Sequence, residues 1–80
     1  MPLDKKESYI KQLMTYFENK KYAEENKLSE EMIKKFGDFS SYLFNAQAKY
    51  FSEDFEGATE SGKRAFSLAQ SKREKFFVQF

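Results

Sequence analysis

The sequence predicts an all-α fold, arranged as a small antiparallel three-helix bundle. Pro2 is the only proline in the 80 residues, and only three glycines occur. No run of residues alternates between apolar and polar side chains as a half-buried strand would. Apolar residues recur instead at helical spacing along most of the chain. We therefore expect a single helical domain over residues 1–80, with helices at about 5–25, 30–51 and 53–77.

The first predicted helix has a clear start signal. Asp4 can cap it, Glu7 stands three residues later as in a capping box, and Leu3 precedes the cap. An apolar face follows, formed by Tyr9, Ile10, Leu13 and Phe17. Residues 19–26 are polar but contain nothing that must break a helix, so we extend this helix to about residue 25.

The second predicted helix begins with Ser29 as its N-cap and a staple between Leu28 and Ile33. Gly37 and Asp38 interrupt its apolar pattern. They could end one short helix and cap the next. They could equally be a weak spot inside one long helix, because glycine costs only about 1 kcal/mol relative to alanine there.

The third predicted helix begins after Ser52, the expected N-cap, and carries a stripe of small residues. The stripe consists of Ala58, Gly62, Ala65 and Ala69, spaced four, three and four residues apart. Such spacing places all four on one face of a helix. We expect this face to be the internal seam along which the third helix packs on the second.

Two Tyr-Phe pairs, at 16–17 and 50–51, lie 34 residues apart, which is the period of tetratricopeptide repeats. Residues 42–69 resemble one such repeat. The matching positions are the large residue and the small residue of its first helix, the aromatic of its turn and the two small residues of its second helix: Tyr42, Ala46, Phe55, Ala58 and Ala65.

This sequence departs from the repeat pattern at several positions. Asn45 and Lys49 stand where apolar or aromatic residues are usual, and Gly62 replaces an aromatic. The first half of the chain matches less well, since Glu25 falls opposite Ala58. In outline the chain is also similar to the three-helix microtubule-interacting and transport domains. Either resemblance implies a groove between helices that binds a peptide or a partner helix, and the first implies a helical hairpin plus a flanking helix.

Catalysis is disfavoured by composition. The chain has no histidine and no cysteine, so it lacks the residues of Ser-His-Asp and Cys-His sites and of the usual zinc sites. No glycine-rich phosphate-binding motif is present. The paired carboxylates stand near predicted helix starts, where acidic residues are favourable in any case. We expect no enzymatic activity, no cofactor and no bound metal.

The aromatic content points to protein binding. Ten Phe and five Tyr exceed what a core of this size needs, and a cluster of the surplus rings would mark a partner site or a homodimer seam. We assign Met14, Leu43 and Phe55 to the core. The candidate partner-binding residues are Tyr42, Phe44, Tyr50 and Phe51, with Lys63 and Arg64 beside them. The expected partner is another protein or a peptide helix, and a second copy of this chain is the alternative.

Charge is distributed unevenly along the sequence. Residues 1–60 hold nine lysines and twelve acidic residues, whereas residues 61–80 hold five basic residues and one acidic residue. Basic side chains are favourable in the C-terminal part of a helix because of its dipole. The alternative function is regulatory binding of nucleic acid through Lys72, Arg73 and Lys75. A net charge of only +1 makes that function the weaker candidate.

The sequence also bears on location. It contains no cysteine and no apolar run near the roughly 20 residues that a membrane-spanning helix needs. Its first residues run directly into polar, helix-like sequence without the pattern of a secretory signal. We expect a cytoplasmic protein without a membrane span.

Overall fold

The computed structural model of the chain describes the backbone of residues 5–78 and the side chains of residues 5–69. Within that range the fold is all-α and contains no strand. Its four helices are α1 (Lys5–Glu18), α2 (Tyr22–Lys35), α3 (Phe39–Phe51) and α4 (Phe55–Val78). The sequence predicts three helices, whereas the structure has four. The first predicted helix ends at Glu18, and the second is interrupted at Gly37 and Asp38.

The first predicted helix ends at Glu18 in a turn that has no glycine. Lys20 adopts the left-handed conformation, with φ 59°. The Lys20 N–H donates to the Phe17 carbonyl, and the Lys21 N–H donates to the Tyr16 carbonyl. These two bonds form a Schellman motif, which satisfies the last carbonyls of α1. A new helix then begins, so Ser29 lies inside α2, fully buried, and is not an N-cap.

Gly37 and Asp38 separate α2 from α3. Gly37 has φ +55°, and a Cβ there would lie 3.3 Å from the Ile33 carbonyl oxygen. The Asp38 carboxylate accepts hydrogen bonds from the Ser41 N–H at 3.1 Å and from the Ser41 hydroxyl at 2.6 Å, and it pairs with Lys6 of α1. Burial opposes ionisation of Asp38, but the hydrogen bonds from Lys6 and Ser41 outweigh it and lower its pKa to about 2.

The turn between α3 and α4 repeats the geometry of the first turn. Glu53 has φ 67°, and its N–H and that of Asp54 donate back to the carbonyls of Tyr50 and Lys49. The Asp54 carboxylate then accepts a hydrogen bond from the Gly57 N–H at 3.0 Å. Asp54 therefore caps α4, whereas Ser52, the expected cap, is the C-cap of α3.

Each helix packs chiefly on its neighbours in sequence: α1 on α2, α2 on α3, and α3 on α4. The result is a flat stack of 42 × 39 × 20 Å in place of three helices around one common core. Its buried apolar side chains are Leu13, Met32, Ala48 and Ala65. None of the helices in the described part of the chain is both long enough and apolar enough to cross a membrane.

A buried polar network joins α2, α3 and α4. The Asn45 amide donates to Asn26 Oδ1 at 3.1 Å and to Ser29 Oγ at 3.0 Å, while its oxygen accepts from the Ser61 hydroxyl at 2.5 Å. Asn45 is 2% exposed. A buried amide needs such partners because an unpaired polar group in the interior costs free energy, so the departure at Asn45 from the repeat pattern has a structural reason.

The small-residue stripe of α4 is only partly internal. Ala65 is buried, and Ser61, which is not in the stripe, is buried beside it against α3. Ala58 and Ala69 are half-buried, and a Cβ on Gly62 would meet no atom within 4 Å. The seam between α3 and α4 therefore runs along Ser61 and Ala65, and Gly62 faces open space.

Candidate protein-docking surface

Helix α3 turns its large apolar side chains outward. Its buried side consists of Ser41, Asn45 and Ala48, which follow one another at spacings of four and three and so share one face. Small and polar residues thus occupy the side in contact with α2 and α4. Leu43, Tyr50 and Phe51 of the same helix are exposed and lie on its outer side.

The outer side of α3 is also free of charge. Lys49 is the charged residue of this 13-residue helix. Its ammonium lies 3.3 Å from Glu30 Oε2 and 3.8 Å from Asp54 Oδ2, and its side chain is largely buried. The lysine is therefore turned toward α2 and the following turn, away from the outer side.

A first groove runs between α1 and the outer side of α3. Its volume is ≈ 330 Å³. Its walls are Met14, Phe17, Glu18, Leu43, Phe44 and Gln47. Glu18 is the charged residue in this lining, and it makes no ion pair with any described side chain.

A second groove of ≈ 370 Å³ runs between α3 and α4. It is lined by Leu43, Ala46, Gln47, Tyr50, Phe51, Phe55, Ala58 and Thr59. Leu43 and Gln47 line both grooves, so the two grooves adjoin across α3. We call the combined lining of the two grooves the apolar face.

Aromatic contacts hold one end of the apolar face in place. The Phe51 ring meets Phe17 edge-on at 5.2 Å between centroids and stacks on Tyr22 at 5.3 Å. Tyr50 meets both Phe51 and Phe55 edge-on, at 5.4 and 5.5 Å. Ring pairs at these separations attract one another beyond simple burial, so this end of the face is preformed.

The centre of the apolar face offers one hydrogen-bond acceptor. Gln47 Oε1 is buried and has no hydrogen-bond partner among the described residues. An unpaired buried oxygen is unfavourable, and Oε1 has almost no surface exposed to solvent, so a bound molecule could reach it only after the Gln47 side chain moves. Leu43 beside it is 48% exposed, so an apolar group and an acceptor lie next to each other.

The sequence-predicted partner-binding residues separate into two groups. Phe44, Tyr50 and Phe51 all lie on the apolar face. Tyr42 does not line either groove: the Arg64 guanidinium of α4 lies over its ring, with Cζ 5.8 Å from the centroid. Tyr42 and Arg64 thus bind each other across the α3–α4 seam.

The other basic residues predicted to bind a partner or nucleic acid line neither groove or lie outside the described side chains. Lys63 is exposed on α4 and lines neither groove. Lys72, Arg73 and Lys75 belong to the helical backbone of α4, but their side chains lie outside the described residues. Nucleic-acid binding through them stays a prediction.

The predicted partner-binding residues omit nine of the twelve residues that line the apolar face, and three of these nine are large, exposed apolar residues. Met14, Leu43 and Phe55 were expected in the core, yet each is about half exposed. The sequence of α3 contains a signal for an exposed apolar surface. A helix with one charged residue in 13 has more uncharged surface than its contact with one neighbouring helix can bury. The burial of Ser41, Asn45 and Ala48 could not be predicted from the sequence, because it depends on the hydrogen-bond partners of Asn45.

Searches of protein-family models, curated proteins and solved structures found no match to this chain.

Proposed function

We propose that this chain is a non-catalytic protein-interaction module that binds an amphipathic helix of a partner protein on the apolar face. The observation that carries the proposal is the pair of adjoining, nearly uncharged grooves on the outer side of α3. Helices commonly bind such grooves through apolar residues at positions i, i+3, i+4 and i+7.

The energetics favour this function. Complete burial of one large apolar side chain contributes about 1.5–3 kcal/mol. Leu43, Met14 and Phe55 are each about half exposed, so a bound helix would remove much additional apolar surface from water. Because aromatic contacts already order the rim, little side-chain entropy would be lost on binding.

A tetratricopeptide-like arrangement is part of the proposal. Helix α3 begins 34 residues after α1, and α4 begins 33 residues after α2. The chain is thus a succession of two helical hairpins with similar spacing of their helix starts, although α4 with 24 residues is longer than α2 with 14. This spacing supports the resemblance of residues 42–69 to that family, whose hairpins form peptide-binding grooves.

The proposal is tested by a charge placed at the centre of the apolar face. Leu43→Asp should abolish capture of the partner from extracts of the source cells, because it puts a carboxylate into both grooves. Lys27→Asp is the matched control, since Lys27 is exposed on α2 and lies outside the face. Circular dichroism of each variant checks that the helices remain folded.

Two results would contradict the proposal. One is capture of the same chains by wild type and by folded Leu43→Asp. The other is loss of the partner with Lys27→Asp and not with Leu43→Asp.

A further inference from the structure

Glu25 is a carboxylic acid buried inside the fold without a partner. It is 0% exposed, and neither Oε1 nor Oε2 has a hydrogen-bond partner among the described residues. It shares the buried side of α2 with Ser29 and Met32. Its place in the repeat alignment is opposite Ala58, where the family pattern has a small residue.

Among the residues that the structure describes, no charged group pairs with Glu25. On α1, Lys6 binds Asp38, and the Tyr9 ring packs on Phe36. On α3, Lys49 is held by Glu30 and Asp54.

The remaining titratable groups of the flanking helices face elsewhere: Lys5, Glu7 and Lys11 of α1 are exposed. Tyr42 of α3 lies under Arg64. Tyr16 of α1 lines a surface cleft with Glu24, Lys27 and Glu31, and Glu18 lines the first groove.

The physical chemistry of such a site favours the neutral acid. An ionised carboxylate that is removed from water without compensation is strongly unfavourable. Burial accordingly raises the pKa of Glu25 to about 7. The protonation state of Glu25 therefore changes near neutral pH.

We propose that Glu25 is a protonation-dependent lock on the α1–α2 hairpin. The neutral acid lets α2 pack between α1 and α3, whereas the carboxylate favours an opened state in which water reaches it. Tyr22 precedes Glu25 by one helical turn and stacks on Phe51. Opening would therefore separate the Phe17, Tyr22 and Phe51 rings.

The opening is expected between α1 and α2, because the Asn45 amide of α3 holds α2 in place through Asn26 and Ser29. The first residue of α2 follows Lys21, whose side chain makes no capping hydrogen bond. In contrast, α3 and α4 are joined by the Asn45–Ser61 hydrogen bond and by the Arg64–Tyr42 pair. The pH-dependent opening is a property of the chain alone and does not depend on partner binding.

Two measurements on wild-type protein test the proposal. A carbon-13 NMR titration of the Glu25 carboxyl should give a midpoint near 7. Amide hydrogen exchange at pH 5.5 and 8, corrected for intrinsic rates, should show a roughly 30-fold larger opening equilibrium in α1 and α2 at the higher pH. That factor corresponds to pKa values of 4.5 for the opened state and about 7 for the closed state. Amides of α4 should change much less.

Variants assign the effect to one carboxyl group. Glu25→Gln should remove the pH dependence of α1 and α2 protection, and Glu24→Gln, at the exposed neighbouring position, should retain it. A Glu25 midpoint near 4.5 would overturn the proposal. So would an equal change of protection in α4, which would indicate global unfolding in place of a local opening.

Discussion

Phe17 of α1 and Phe51 of α3 lie 34 positions apart in the sequence, and their rings meet edge-on with centroids 5.2 Å apart. Phe17 also lines the groove between α1 and α3, and Phe51 lines the groove between α3 and α4. This contact therefore connects the two halves of the chain and the two grooves of the apolar face.

The ring cluster should contribute measurably to stability. Phe51→Ala removes contacts with Phe17, Tyr22 and Tyr50. Since Phe51 is only half-buried, we expect a loss of about 1–3 kcal/mol in the free energy of unfolding, below the range for a fully buried ring. Denaturant titration measures it. Phe66→Ala is the control, because Phe66 is 65% exposed and should change stability by less than about 0.5 kcal/mol. Equal losses would show that the ring contacts contribute nothing.

The buried polar network should be cooperative. Asn45→Ala leaves the Ser61 hydroxyl and Asn26 Oδ1 without their partner, and we expect a loss of about 1–3 kcal/mol from the unsatisfied groups. A double-mutant cycle with Ser61→Ala measures the coupling, which should be about 1 kcal/mol. Additive effects of the two substitutions would contradict this prediction.

The three turns respond differently to glycine. Lys20→Gly and Glu53→Gly should each stabilise the protein by about 0.5–1 kcal/mol, because both residues have positive φ without being glycine. Gly37→Ala should destabilise it by a similar amount, since alanine is strained at φ +55°. Thermal or denaturant unfolding checks the signs. Lys21→Gly, at a residue with φ −93°, is the control and should not stabilise.

Asp38 should make stability sensitive to acid. Its pKa is lowered from 3.8 to about 2 in the folded protein, so its contribution is fully present above pH 3.8 and is lost as pH falls through 2. The difference corresponds to about 2 kcal/mol. Asp38→Asn should remove this loss of stability between pH 4 and 2, and Lys6→Met should reduce it. An unchanged acid profile for Asp38→Asn would contradict the assignment.

The basic segment of α4 gives a separate prediction. If Lys72, Arg73 and Lys75 bind nucleic acid, affinity should fall steeply with salt, and Lys72→Glu with Arg73→Glu should abolish it. Fluorescence anisotropy with a labelled single-stranded oligonucleotide measures both. Unchanged binding in the charge-reversed variant would exclude this segment as the site.

The local sequence was sufficient for much of the helical structure. Apolar spacing predicts helices, and the absence of alternating runs excludes strands, because both depend on which side chains share a face. From the sequence, Gly37 and Asp38 could either break the helix or lie within one long helix. In the structure they break it, and the hydrogen bonds between Asp38 and Ser41 stabilise the start of the new helix. The turns at Lys20 and Glu53 carry no such signal, since neither has the glycine that usually occupies a left-handed position.

The sequence by itself determined that this protein is helical, that it lacks the residues of common catalytic sites and that it has more aromatic rings than a small core needs. Tertiary structure alone decided which residues are buried. Glu25 and Asn45 lie inside, and Leu43 lies outside, against their individual preferences. The reason is that burial depends on the partners a neighbouring helix supplies. Asn45 can be buried because Asn26, Ser29 and Ser61 surround its amide. Leu43, Tyr50 and Phe51 then remain on the outer side of α3, which the neighbouring helices cover only in part.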